Sequence, residues 1–214
     1  MDKKSIAIQK TNSELDNSLF SAPQKPSETN KKVFKVFIIA TIVVALIIGG
    51  IVYSNMAKKS EKTQVLLETN YGSITLELYS DMSITTGNFA SLVQSGTYNG
   101  VIFHRIMDGF MIQGGDPTGT GYGDPKIPKI MDEFTHAGGN KNNRGTIAMA
   151  NAGPNTGSSQ FFINLVDNNF LDAKHPAFGQ VISGMDVVDA IAKVATDAND
   201  KPIKDVMIIS AKVL

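Results

Sequence analysis

The run VIFHRIMDGFMIQGGDP, Val101 to Pro117, is rich in Phe, Ile and Met yet carries Arg105 and Gln113. A guanidinium among apolar side chains costs desolvation energy unless a partner meets it. A strand period of two puts Val101, Phe103 and Arg105 on one face, Met111 and Gln113 together on the next strand, and Gln160 with Phe162 along QFFINL. If those strands adjoin, one face displays Arg105, Met111, Gln113, Gln160 and Phe162. An apolar slot with a few aimed donors is the usual makeup of a small-ligand site. The competing reading pairs Arg105 with an acid such as Asp108 or Asp116 and leaves both glutamines in water. That explains each residue singly, but not why two separate segments repeat one mixture at matching parity.

Other chemistries fit less well. Gly119, Gly121 and Gly123 are spaced as if for a phosphate, but no strand runs directly into them and no helix follows, which favours a flexible loop. Ser158 and Ser159 sit in GSSQF, which is not the GxSxG elbow of a serine hydrolase. His104, His136 and His175 are far apart and show no metal-binding spacing, so packing or surface roles outweigh metal binding. The absence of Cys excludes disulfides, thiolate nucleophiles and cysteine-based zinc sites.

Charge and hydropathy organise the chain that must position these residues. Residues 1–60 hold nine Lys against four acids, and 61–214 hold eleven Lys and Arg against sixteen acids, so +5 and −5 cancel. The acidic C-terminal part lacks the basic patch that nucleic-acid binding requires. Residues 1–32 are polar with Pro23 and Pro26 and are expected to be a disordered tail. VFIIATIVVALIIGGIVY, Val36 to Tyr53, has no charge over eighteen residues. As a helix it would reach about 27 Å, close to a hydrocarbon core of roughly 30 Å. A single transmembrane helix is therefore expected within 33–56, followed by a linker over 57–64 and a folded domain over 65–214. The lysines at positions 3, 4, 10, 25, 31, 32 and 35 outnumber those at 58, 59 and 62. The positive-inside rule then keeps the tail in the cytoplasm and places the C-terminal domain outside it.

From Val65 onward, short strands alternate with Gly and Asn turns. VLLET and SITLELY read as a hairpin about NYG, and further strands are expected at 101–106, 110–114, 146–150, 160–165, 178–182 and 206–213. Helical spacing appears in TTGNFASLVQSG and GMDVVDAIAKV. Eight strands with two helices predict a mainly β domain: a closed antiparallel barrel capped by two α-helices. The stretch from Gly114 to Gly145 shows no period, as functional loops often do.

The segments FHRIMDGFMIQGGDP (103–117), AMANAGPNTGSSQFFINL (148–165) and FLDAKHPAFGQVISGMDVVDAI (170–191) closely resemble the cyclophilin family of peptidyl-prolyl cis/trans isomerases. The resemblance covers roughly Val65 to Leu214 and implies a barrel of eight strands, proline-containing substrates and no cofactor. By matching positions it implies Arg105, Gln113 and Asn151 as catalytic residues. Phe110, Met111, Ala150, Gln160, Phe162, Leu171 and His175 follow as substrate-binding residues. Many members carry Trp where this chain has Phe170, which loses an indole N–H donor. Weak binding of the cyclic peptide cyclosporin follows, with Phe170 still able to wall the pocket. A binding module that grips proline segments without turnover is the alternative from another class, and the retained Arg105 disfavours it.

Overall fold

The computed structural model describes residues 62–214, together with helical backbone at Lys35, Phe37, Thr41 and residues 43–47. The tail expected over 1–32, most of the helix expected over 33–56 and linker residues 57–61 lie outside the described residues. Among the described residues no helix is long and apolar enough to cross a membrane. The chain forms two compact units, Met1–Lys59 and Ser60–Leu214, and the second carries the whole of the sheet.

That sheet begins with the hairpin of β1 (Gln64–Thr69) and β2 (Gly72–Leu78), in which Val65 faces Leu76 and Leu67 faces Ile74. The Thr69 hydroxyl staples the turn, donating to the Gly72 carbonyl at 2.7 Å and accepting from the Tyr71 N–H at 3.1 Å. The remaining strands are β3 (Arg105–Met107), β4 (Met111–Gly114), β5 (Thr146–Met149), β6 (Phe161–Asn164), β7 (Ala177–Ser183) and β8 (Ile208–Val213). They form one antiparallel sheet in the order β3-β4-β6-β5-β7-β2-β1-β8. Two helices accompany it, α1 (Ser83–Gln94) and α2 (Met185–Ala192). No side chain of its own caps α1; the buried Glu133 does so from a loop, accepting the Thr85 N–H at 2.8 Å.

The closed barrel read from the strand count needs correction. The sheet is curled, but its ladder stops at β3 and β8. Across the seam the chain makes one isolated bridge, Ile102 to Met207, and backbone bonds from Phe103 to Val206 (2.8 Å) and from Ile208 to Val101 (2.9 Å). Beyond it the outward N–H of Ile106 turns instead to the carbonyl of Asp200 at 2.8 Å, so the two edges part. The strand expected over 101–106 accordingly shrinks to 105–107.

Alternation divides the strands between two clusters. Ile106, Ile112, Ile147 and Ile163 point inward with Leu67, Ile74 and Leu76, under Phe89 and Val93 of α1 and Val188 and Ile191 of α2. Phe89, Tyr98, Phe103, Phe161 and Phe178 are fully buried there, and Phe89 meets Phe161 edge-on at 5.4 Å. Each such ring stabilises the fold by about 1.5–3 kcal/mol through burial. The opposite face carries a smaller cluster of Met111, Ala148, Phe162 and Ala177, flanked by Met107, Phe110, Ala150 and Leu171. Phe103 is inside with Phe161, at 6.1 Å, so the parity that joined it to Arg105 fails. Residues 101 to 104 form no regular strand and the period of two breaks there.

Candidate active site

Register builds the site. Arg105 pairs with Gln113, Gln113 with Phe162, Phe162 with Ala148 and Ala148 with Ala177, one transverse row across β3, β4, β6, β5 and β7. The neighbouring row joins Met107, Met111 and Asn164. All of these share the outer face, where apolar side chains make a floor and Arg105 and Gln113 stand at one end.

A cavity of about 240 Å³ opens on this floor, lined by Arg105, Phe110, Met111, Gln113, Ala150, Asn151, Phe162, Leu171 and His175. At roughly 30 Å³ per water it holds the space of about eight waters, enough for a five-membered ring. Nine of the eleven residues expected at the site are thus brought together. Gln160 stands next door, accepting from Gln113 Nε2 at 2.9 Å and donating to the Gly121 carbonyl at 3.0 Å. Phe170 does not line the cavity; it is 70% exposed and stacks on Phe110 with ring centres 6.0 Å apart.

Loops supply the walls, and buried polar side chains hold them. Phe110 precedes β4, and its carbonyl accepts from Asn168 Nδ2 at 2.9 Å and from the Leu165 N–H at 3.0 Å. Leu171 ends a single 3-10 turn, Asn169–Leu171. His175 follows; its Nδ1 lies 3.1 Å from the Met149 carbonyl, which assigns the proton to Nδ1. Its ring meets Phe162 edge-on at 5.5 Å. Asn140 ties the same loop, donating to the His175 carbonyl at 2.9 Å and accepting the Ala177 N–H at 2.7 Å. Asn151 donates its side-chain amide to the Lys174 carbonyl at 2.8 Å.

A larger depression of about 670 Å³ adjoins the cavity and shares Gln113, Ala150 and Asn151 with it. Its other walls include Tyr122, Pro125, Ile127 and Lys129. The glycine loop beside it binds a carboxylate of its own chain. Buried Asp116 accepts N–H bonds from Thr118 (2.9 Å), Gly121 (2.7 Å) and Gly123 (3.2 Å) and the Thr118 hydroxyl at 2.8 Å. Burial opposes its ionisation, but these donors outweigh burial and hold its pKa below the ordinary value. Beneath the loop, burial pulls His104 below its ordinary value, against the attraction of Asp116.

Arg105 does meet an acid, Asp200, but neither Asp108 nor Asp116 takes that role. Asp108 accepts from Lys193 Nζ at 2.7 Å, and Asp116 is occupied by its loop. Arg105 instead donates Nε–H to Asp200 Oδ2 at 3.4 Å and Nη2–H to Met107 Sδ at 3.0 Å. Two of its five N–H groups are thus used among the described residues, and three remain. The sequence reading missed both partners. Met107 lies two residues after Arg105, so strand parity could have found it; Asp200 lies ninety-five residues away, with no local signal.

Comparison with known proteins agrees with this geometry. The family profile "Cyclophilin type peptidyl-prolyl cis-trans isomerase/CLD" matches residues 64–213. Peptidyl-prolyl cis-trans isomerase-like 1 of Aspergillus fumigatus is 49% identical over 155 residues, covering 71% of this chain and 96% of the relative. A crystal structure of a cyclophilin-type peptidyl-prolyl cis-trans isomerase from Cryptosporidium parvum superimposes with a TM-score of 0.67 at 35% identity, covering 72% of this chain and 98% of that one. The structure of that isomerase in the presence of the dipeptide Ala-Pro gives a TM-score of 0.66 at 36% identity, covering 71% and 98%. With the matching profile spanning the whole sheet, this chain belongs to the cyclophilin-type peptidyl-prolyl cis-trans isomerases and is an enzyme of that class.

Proposed function

We propose that the 240 Å³ cavity binds the proline ring of a polypeptide and that Arg105 drives rotation of the preceding peptide bond. Planar amide resonance sets a barrier of about 18–20 kcal/mol, and X–Pro exchange without a catalyst takes tens to hundreds of seconds. No covalent bond has to break. As the bond twists, the nitrogen lone pair withdraws from resonance and becomes a hydrogen-bond acceptor, which it is not in either planar isomer. A donor at that nitrogen therefore favours the twisted state over both ground states.

Arg105 is the donor in place. Its guanidinium stays charged at ordinary pH, and three N–H groups remain for a ligand after Asp200 and Met107 have taken two. Phe110, Met111, Phe162 and Leu171 hold the ring, while Gln113 and the backbone of Asn151 grip the chain. Ala150, Gln160 and His175 shape the rim, and Phe170 supports Phe110 from outside. The observation that carries this reading is the row placing Arg105, Gln113 and Phe162 side by side on the cavity. Proline-containing segments are the substrates, as the Ala-Pro dipeptide with the Cryptosporidium isomerase suggests. The test is cis/trans exchange of an Ala-Pro peptide with the full-length chain in mild detergent. Acceleration over the uncatalysed rate is expected; none would remove the reading.

The site is further proposed to work at a membrane surface on exported chains, anchored by a helix within 33–56. Support comes from the eighteen uncharged residues at 36–53. In addition, the helical residues Phe37, Val43, Val44, Leu46 and Ile47 are exposed. The lysine excess before the span orients the C-terminal domain away from the cytoplasm. Protease added to intact cells should then degrade that domain, and its survival would overturn the orientation.

A further inference from the structure

Arg105 sits in a partly exposed position, 42% accessible at its side chain, where a long flexible arm would sample many rotamers. One loop limits it. Residues 195–203 close on themselves: Thr196 bridges Pro202, the Ile203 N–H donates to Ala195 at 2.9 Å, and Asp197 and Lys201 are joined at 2.8 Å. The Asp197 carboxylate also accepts the N–H groups of Asn199 (2.8 Å) and Lys201 (3.0 Å). At the tip Asp200 adopts φ 63°, and its carbonyl accepts the Ile106 N–H at 2.8 Å. The tip is thus bonded to the residue after Arg105, and its carboxylate meets Arg105 Nε.

Resting on the role proposed for Arg105, we infer that Asp200 is a positioning residue: it holds the guanidinium from behind so that the remaining N–H groups face the cavity. The geometry suits that task. The contact is single and, at 3.4 Å, longer than the 2.7–3.2 Å of a strong N–H···O bond, so it orients the charge without occupying the fork. Met107 Sδ, a weak acceptor, takes the adjoining Nη2–H at 3.0 Å. Met107 sits on β3 itself and Asp200 on the loop bonded to β3, so both stops move with the strand that carries Arg105.

Arg105 and Arg144 are the two arginines of the chain, which makes a selective readout possible. In full-length chain labelled with ¹⁵N-arginine, two Nε–H resonances are expected, assigned with Arg144→Lys. Asp200→Gly keeps a residue that tolerates positive φ but removes the carboxylate. It should move the Arg105 resonance, leave that of Arg144, and lower kcat on an Ala-Pro peptide about three- to fivefold, the scale of one exposed ion pair. KM and Tm should hold, Tm within about 2 °C. Asp200→Asn, which keeps an acceptor and the backbone geometry, should fall between wild type and Gly. An Arg105 resonance unmoved in the Gly variant, or one that moves with turnover intact, overturns the inference. A wild-type chain without turnover would instead overturn the role of Arg105, and the resonance alone would then decide whether Asp200 holds that side chain.

Discussion

Single side chains set the chemistry here, and two of them carry separable effects. The guanidinium of Arg105 supplies a donor in a fixed planar fork that a lysine cannot reproduce, so Arg105→Lys should lose most of what Arg105→Ala loses. Phe170 presents a different case. It is exposed, stacks on Phe110 and offers no N–H. Phe170→Trp should keep that stacking and add one donor at the edge of the cavity, strengthening cyclosporin binding about fivefold, the value of roughly 1 kcal/mol for one net hydrogen bond. Calorimetric titration would measure it; equal affinity in both proteins would contradict the expectation.

At the scale of elements, the loop after β4 is held by charge rather than by regular hydrogen bonding. Gly115 turns there at φ 83°, and a Cβ on it would lie 2.7 Å from the Phe161 ring. Asp116 then gathers the loop's N–H groups. Because its pKa is depressed in the fold, this carboxylate stabilises the protein fully above its ordinary value of 3.8, and the contribution is lost as pH falls through the lower folded value. Asp116→Asn removes the charge at every pH and keeps one acceptor oxygen, so either the Thr118 N–H or those of Gly121 and Gly123 lose their acceptor to a facing NH2 group. A loss of about 2–3 kcal/mol at neutral pH is expected, shrinking below pH 4 as wild type loses the same term. Thermal melts of both proteins across pH 7 to 3 would check this, and a constant gap would contradict it.

For the whole molecule, the sequence made the sheet legible because hairpins and alternating runs such as SITLELY declare their faces locally. Arg105, Met111, Gln113 and Phe162 were legible for the same reason, since register carries a period of two across neighbouring strands. Phe110, Ala150, Asn151, Leu171 and His175 lie outside the strands, where no period exists, and only the family resemblance placed them. The seam and the Asp200 contact depend on pairings between residues about a hundred positions apart, as in Ile102 with Met207. The loop from 115 to 145 lacks a period because side chains fix it: Asp116, and Asp81 from outside it, accept N–H groups of its backbone, while its Glu133 and Asn140 tie it to the N–H groups of Thr85 and Ala177. Deleting residues 33–56 should release the chain from the membrane pellet of lysed cells while peptide turnover stays within about twofold, since the site is built entirely from later residues; retention in the pellet would contradict the anchor. The most direct test of the account is exchange spectroscopy on an Ala-Pro peptide at saturating concentration, comparing wild type with Arg105→Ala. Removing one preorganised donor should cut the bound exchange rate about a hundredfold with peptide affinity nearly unchanged, whereas equal exchange in the two proteins would show that the guanidinium does not act on the twisted bond.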